Sequence, residues 1–183
     1  MKQKSNRNKT KGLIALSLYS LMLKRSYEEI SVKDICERAG VSRMSFYRYY
    51  NKKDDVFLDY CDERFEEFYA IIAKSSKTFT SNEFTLEIFK FIKKYYRQIK
   101  ILKMANKESM LLDQLNSYTR YVISNLKRDF FVEQKNNPVF ASFVAGGLFN
   151  IIMYWVNTDM KMSPEEMNNH LYQLLKHLET NKN

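Results

Sequence analysis

Between Leu13 and Met22 the apolar positions Leu13, Ile14, Leu16, Leu18, Leu21 and Met22 leave little of a helix circumference polar. The spacing predicts a first helix from Thr10 to near Arg25, buried among neighbours rather than laid on a surface. Residues 1–9 are polar and basic, and a mobile end is expected there. In SVKD the Ser31 hydroxyl can accept from an amide three residues on, and Asp34 sits at the positive end of a second helix. Ile35, Cys36 and Ala39 make its inner face, and Gly40 ends it by tolerating a left-handed backbone. Ser42 caps a third helix running to about Tyr49, and Asn51 caps a fourth with Asp54 and Asp55 in its first turn. Along that fourth helix Val56, Phe57, Tyr60, Cys61, Phe65, Phe68, Tyr69 and Ile72 recur at helical spacing to about Lys74.

The motif TSNE boxes the start of the next helix. Helices are predicted over 83–98, 99–106 and 107–130, followed by the loop EQKNNP and a strongly apolar helix from Pro138 to Asn157. Ser163-Pro164-Glu165-Glu166 opens the last one, with a cap, a proline at the first helical position and acids in the first turn. No strand-like alternation, low-complexity tract or repeat interrupts the series. With four glycines and two prolines in 183 residues, the chain is predicted to be all-α, about nine helices, large enough to bury a core.

Charge adds direction to this picture. Residues 1–60 carry 13 Lys and Arg against 7 Asp and Glu, while residues 61–183 carry 17 against 14. A basic excess concentrated at one end points to a polyanionic partner, nucleic acid or an anionic surface. The opening MKQKSNRNKTK followed by GLIALSLYSLML has the layout of a secretory leader, but no small-x-small cleavage site follows and the run continues into SYEEISVKDI. A cytoplasmic chain with reduced Cys36 and Cys61 is therefore expected, with no membrane span. Neither cysteine has a CxxC or CxxH spacing, and His170 and His177, seven apart on one helix face, lie far away in sequence, so no metal and no cofactor is expected. A Gly-rich phosphate loop, GxSxG and HExxH are all missing, which argues against an enzyme.

The stretch SVKDICERAGVSRMSFYRYY supplies the chemistry. Two short helices joined by a Gly-containing turn make a helix-turn-helix, whose second helix enters the DNA major groove. Arg43, Met44 and Ser45 then point toward base edges and the cap residue Ser42 also contacts DNA, while Val41 and Phe46 lock the two helices together. Tyr47, Arg48, Tyr49 and Tyr50 alternate aromatic and cationic tips that can reach phosphates or a thymine methyl. Tyr47 and Tyr50 are equally readable as partly core. Lys52 and Lys53 at the start of the fourth helix are placed beside free amides that favour a phosphate, and Lys33 holds the other side of the groove.

From Thr10 through Phe57 the chain resembles the DNA-binding domain of TetR-family (tetracycline-repressor-like) bacterial transcriptional regulators. The buried first helix, SYEEISVKDICERAGVSRMSFYRYYNKKDDVF and the long fourth helix carry the likeness. Ser26 and Met44 depart from the family pattern, where glycine and a small residue are common, and Met44 bears on base preference. The resemblance implies a DNA-binding domain over residues 1–53 and a helical dimerisation and effector domain over 54–183, joined by a helix over about 52–74. It also implies a homodimer on a palindromic double-stranded operator, a small-molecule effector, and a repressor associated with the nucleoid; an activator, an effector-independent regulator or an architectural DNA-associated protein are the alternatives.

The residues speak to the dimer independently. Gly146 and Gly147 inside a helix cost about 1 kcal/mol each relative to alanine, which close approach of another helix would offset. With Phe143, Ile151 and Trp155 on neighbouring faces, they are expected to form a dimer seam, against the alternatives of an intramolecular contact or a helix break. Aromatics and methionines from Phe65 to Tyr121 either line an effector cavity or form core, and spacing does not separate the two.

Overall fold

The computed structural model describes residues 2–74, 80–126 and 133–180. Among them are nine helices and no strand: α1 (Lys2–Met22), α2 (Val32–Ala39), α3 (Arg43–Tyr47), α4 (Lys53–Lys74), α5 (Ser81–Lys94), α6 (Tyr96–Met104), α7 (Glu108–Asn125), α8 (Pro138–Asn157) and α9 (Pro164–Thr180). They fall into two compact units. The first holds α1 to α3 and α4 as far as Glu66, together with Ile101–Glu108; the second holds Glu67–Lys100 and the described residues from Ser109 onward.

In the first unit α1 begins at Lys2. The polar segment expected to be mobile contains no glycine or proline before Gly12, so nothing local interrupts the helix. Its burial is one-sided: Ile14, Leu18, Tyr19 and Met22 are buried, whereas Leu16 is 66% exposed, which corrects the expectation of burial all round. The cap of α2 forms as its sequence dictates. The Ser31 amide donates to the Asp34 carboxylate at 2.8 Å and the Asp34 amide to the Ser31 hydroxyl at 3.2 Å. The Ser31 hydroxyl, donating to the Asp34 carboxylate at 2.6 Å, and then the Ser31 amide hold the Asp34 carboxyl down to about 2. Gly40 closes the helix in the left-handed region at φ 66°, and the Val41 amide reaches back to the Cys36 carbonyl at 3.0 Å.

The helix α3 has five residues, shorter than the run to Tyr49 that its sequence predicts. Its inner anchor is Phe46 at 0% exposure, beside Tyr50 with ring centroids 5.5 Å apart. The start of α4 also differs. Asn51 is not the cap; Asp55, inside the helix, accepts from the amides of Asn51 at 2.8 Å and Lys52 at 3.1 Å.

In the second unit α9 packs on α5. Its core joins Phe89, Ile92, Ile99, Ile152, Trp155, Val156, Met160 and Met167. Buried Asn168 fastens the two helices, accepting from the Thr85 hydroxyl at 2.5 Å and donating to the Asn82 side chain at 2.9 Å. The break between α5 and α6 falls at Tyr95, earlier than the predicted 98. Phe68, Phe91 and Tyr95 meet in sequence as tilted rings with centroids 5.1 and 4.8 Å apart. These aromatics contact one another as core residues do. His170 is exposed on α9, and the side chain of His177 lies outside the described residues. The predicted end of α7 near 130 also lies outside them.

The helix α8 starts on Asn137, whose side chain accepts from the amides of Val139 and Phe140 at 3.1 and 3.0 Å. By length and composition it is apolar enough to cross a membrane, which its interruption by Gly146-Gly147 and Asn150 obscures in the sequence. Its two faces differ sharply. Ala141, Ala145, Ile152 and Trp155 are buried, while Val139, Phe143 and Tyr154 are 76%, 77% and 56% exposed. Trp155, expected in the dimer seam, is buried within its own chain, on the side of the helix away from that exposed row. Its ring meets Phe89 edge-on at 5.8 Å, its Nε1 donates to the Met162 carbonyl at 3.1 Å, and the Lys93 ammonium lies 5.6 Å from its centroid. Truncating a fully buried aromatic costs about 3–5 kcal/mol. Trp155→Ala should lose a stability of that order in denaturant titration, and a loss below about 1 kcal/mol would contradict its place in the core.

Candidate nucleic-acid interface

The helices α2 and α3 are held by apolar contacts whose residues are dictated by position. Ile35, Cys36 and Ala39 of α2 and Phe46 of α3 are all buried, so each helix presents its remaining sides outward. On α3 that leaves Arg43, Met44 and Tyr47 exposed, with Arg48 just beyond its end. Met44 is 77% and Tyr47 56% exposed. Tyr47 leans edge-on against the Phe46 ring, centroids 5.5 Å apart, which limits its freedom. Tyr50 takes the core role: it is 4% exposed and its hydroxyl donates to Asp59 at 2.7 Å. Ser42 and Ser45 are occupied with each other, the Ser45 amide donating to the Ser42 hydroxyl at 3.0 Å and the two hydroxyls lying 3.0 Å apart. Their role in the apo protein is to cap the helix. Tyr49 is partly buried, its ring 6.4 Å from that of Tyr50.

The cations of this unit are unequally committed. Lys11 pairs with Asp59, and Arg25 with Asp34 at 3.3 Å. Lys33 meets Glu37 at 3.7 Å and Lys52 meets Asp54 at 3.7 Å, with both lysines more than 60% exposed. Pairs so exposed contribute about 0–1 kcal/mol, so a phosphate could replace the carboxylate at little cost. Arg43 and Arg48 form no ion pair among the described residues. The recognition helix thus carries positive charge that the protein itself does not neutralise.

Lys53 departs from its expected place at a phosphate. Its ammonium turns inward and donates to the carbonyls of Tyr27, Glu28 at 3.4 Å and Ile30 at 2.8 Å, lying 4.2 Å from the Tyr27 ring centroid. Burial pushes its pKa down. Of the amides at this helix start, those of Asn51 and Lys52 already donate to Asp55. Lys53 therefore positions the turn between α1 and α2. Lys107 supports the same turn from the far end of the sequence, 4.8 Å from the Tyr27 ring and 2.9 Å from the Glu28 carboxylate. Sequence reasoning missed Tyr27, Glu28 and Lys107 because no local pattern links positions so distant. Of the proposed seam, Phe143 and Gly147 are exposed and Gly146 and Ile151 half-buried; a Cβ added at either glycine would meet nothing within 4 Å.

A tri-helical unit that pins a short, cationic, outward-facing helix on a glycine turn is a helix-turn-helix DNA-binding module. The chain belongs to the tetR family of bacterial regulatory proteins. Residues 19–60 match the family's N-terminal model, "Bacterial regulatory proteins, tetR family", and residues 80–177 match "Transcriptional regulator C-terminal region". A curated relative, an uncharacterized HTH-type transcriptional regulator YxbF of Bacillus subtilis (strain 168), is 22% identical over 166 residues, 87% of this chain and 43% of that protein. The chain thus spans less than half the length of this relative. Among solved structures, a TetR transcriptional regulator from Streptococcus agalactiae 2603V is similar in fold, with TM-score 0.63, 19% identity, and 95% of this chain and 97% of that one covered. The dihydroxyacetone kinase operon activator DhaS follows at TM-score 0.58, 20% identity and coverage of 92% and 95%. The fatty acid degradation regulator FadR from Bacillus halodurans gives 0.59, 16%, 90% and 96%.

Replacing the Lys53 ammonium strands three carbonyl acceptors, and charge-assisted hydrogen bonds contribute about 1.5–3 kcal/mol. Lys53→Met should lower unfolding stability by about 1–2 kcal/mol. A variant as stable as the parent would show that the clamp contributes nothing.

Proposed function

We propose that this regulator binds a short inverted-repeat operator as a homodimer and represses transcription, with a small-molecule effector releasing it. The observation that supports DNA reading most strongly is the exposed row of Arg43, Met44, Tyr47 and Arg48 on a helix fixed from behind by Phe46. Arginine reads guanine bidentately or holds phosphates, and tyrosine joins a phosphate to an apolar surface. Lys33 and Lys52 exchange their weak surface pairs for phosphates, and Ser42, Ser45 and Tyr49 add polar contacts along the same edge. The protein acts in the cytoplasm on the nucleoid and is not an enzyme.

The exposed face of α8 supports dimerisation. Val139, Phe143, Gly147 and Tyr154 share its exposed face, and an apolar row of this kind on a regulator fits a second copy. The seam then comprises Phe143, Gly146, Gly147 and Ile151, with Val139 and Tyr154 added and Trp155 removed. Two copies would set their recognition helices about 34 Å apart, one DNA turn. An effector that favours a different spacing lowers operator affinity by its differential affinity for the two states. The second reading is activation, supported by the operon activator among the fold neighbours; the DNA-binding face is the same, and the location of the operator sets the sign.

Selection from a random duplex pool near physiological salt should enrich an inverted repeat, and a well-folded protein that enriches nothing would overturn this function. Arg48→Ala should weaken binding to all duplexes alike and reduce the slope of log affinity against log salt by about 1; an unchanged slope removes Arg48 from the phosphate contacts. Gly147→Leu adds bulk where the isolated chain has open space. Its sedimentation should therefore shift to monomer while helicity is retained, and a parental sedimentation profile would place the dimer face elsewhere.

A further inference from the structure

Most of the exposed face of α3 is polar or charged, and Met44 is the exception. It is 77% exposed, as much as any large apolar side chain of the described residues. Nothing in the protein's own packing requires it there, because Phe46 and Tyr50 supply the inner contacts of this segment. Arg43 precedes it, and Tyr47 and Arg48 follow at the three- and four-residue spacings that make side chains neighbours on a helix. An apolar tip is thus ringed by two cations and a phenol, none of which shields it from water.

We propose that Met44 is a specificity-determining residue that reads a thymine by contact with its C5-methyl group. This rests on the DNA-reading function proposed above. The argument is one of complementarity. In the major groove thymine alone offers an apolar group among the donors and acceptors of the base edges. Flanking arginines draw the helix to the phosphates and to guanine, and the unbranched thioether, with several rotatable bonds, can follow the groove floor to the methyl. Guanine and cytosine at this position present only polar edges, against which a buried methionine tip gains nothing. The operator half-site should therefore carry a thymine opposite Met44, adjacent to a base pair read by Arg43.

The test uses the full-length protein and the duplex enriched from a random pool. Each thymine of one half-site is replaced in turn by uracil, which keeps the base pair and removes only the methyl. One replacement in the half-site should weaken parental binding about fourfold, equivalent to about 0.8 kcal/mol for one buried methyl. Met44→Ala should bind that uracil duplex and its thymine parent equally, while Met44→Leu keeps part of the difference. If no uracil replacement affects the parent, or Met44→Ala keeps the full penalty, the thymine assignment is overturned and the regulator reading stands. If the pool yields no enriched repeat at all, the functional reading fails and the inference falls with it.

Discussion

The burial of Phe46 is the contact on which the DNA-reading surface depends. A helix of five residues has almost no stability of its own, since nucleating the first turn is unfavourable and few hydrogen bonds follow. What fixes α3 is a fully buried ring against the apolar side of α2, with the Ser42 cap at one end and Tyr50 at the other. Burying a phenylalanine contributes about 1.5–3 kcal/mol, more than any hydrogen bond in the segment. Because a helix places residues one and two positions away on other sides, seating Phe46 inward turns Met44 and Tyr47 out.

Electrostatics then decides which outward cations are available. Acidic residues hold several cations of this unit: Asp59 takes Lys11, Asp34 takes Arg25, and Glu28 takes Lys107. Lys53 is drawn inward by three carbonyls of the turn after α1. Arg43 and Arg48, at the two ends of α3, keep their charge without an ion pair among the described residues. Cations that hold the fold and cations left outward are thus separated by a few residues along the chain, and their different burial tells them apart.

Much of this was legible in the sequence, because helix signals are local. The Ser31 capping box, the Gly40 turn and the Ser42 cap each act within a few residues and fall where their spacing places them. The inward direction of Phe46 follows from the same short range. Lys52 and Lys53 show the limit: adjacent lysines at a helix start look equivalent in sequence, yet one is exposed and the other clamps a turn more than 20 residues away. Trp155 shows it again, since apolar residues on a helix that is hydrophobic nearly all round do not reveal which side meets its own chain. The Lys107 contact with Tyr27 joins positions whose proximity only the tertiary fold creates.

The proposed regulation requires the outward face of α3 to meet DNA. Hydroxyl-radical footprinting of the protein with and without duplex DNA at low salt tests it directly, because Met44 and Tyr47 are exposed and readily oxidised. Met104, 63% exposed in the same unit, provides the internal reference. Protection of Met44 and Tyr47 with Met104 unchanged is the predicted result. Oxidation of Met44 and Tyr47 that is undiminished when the protein is fully bound to DNA would contradict the account.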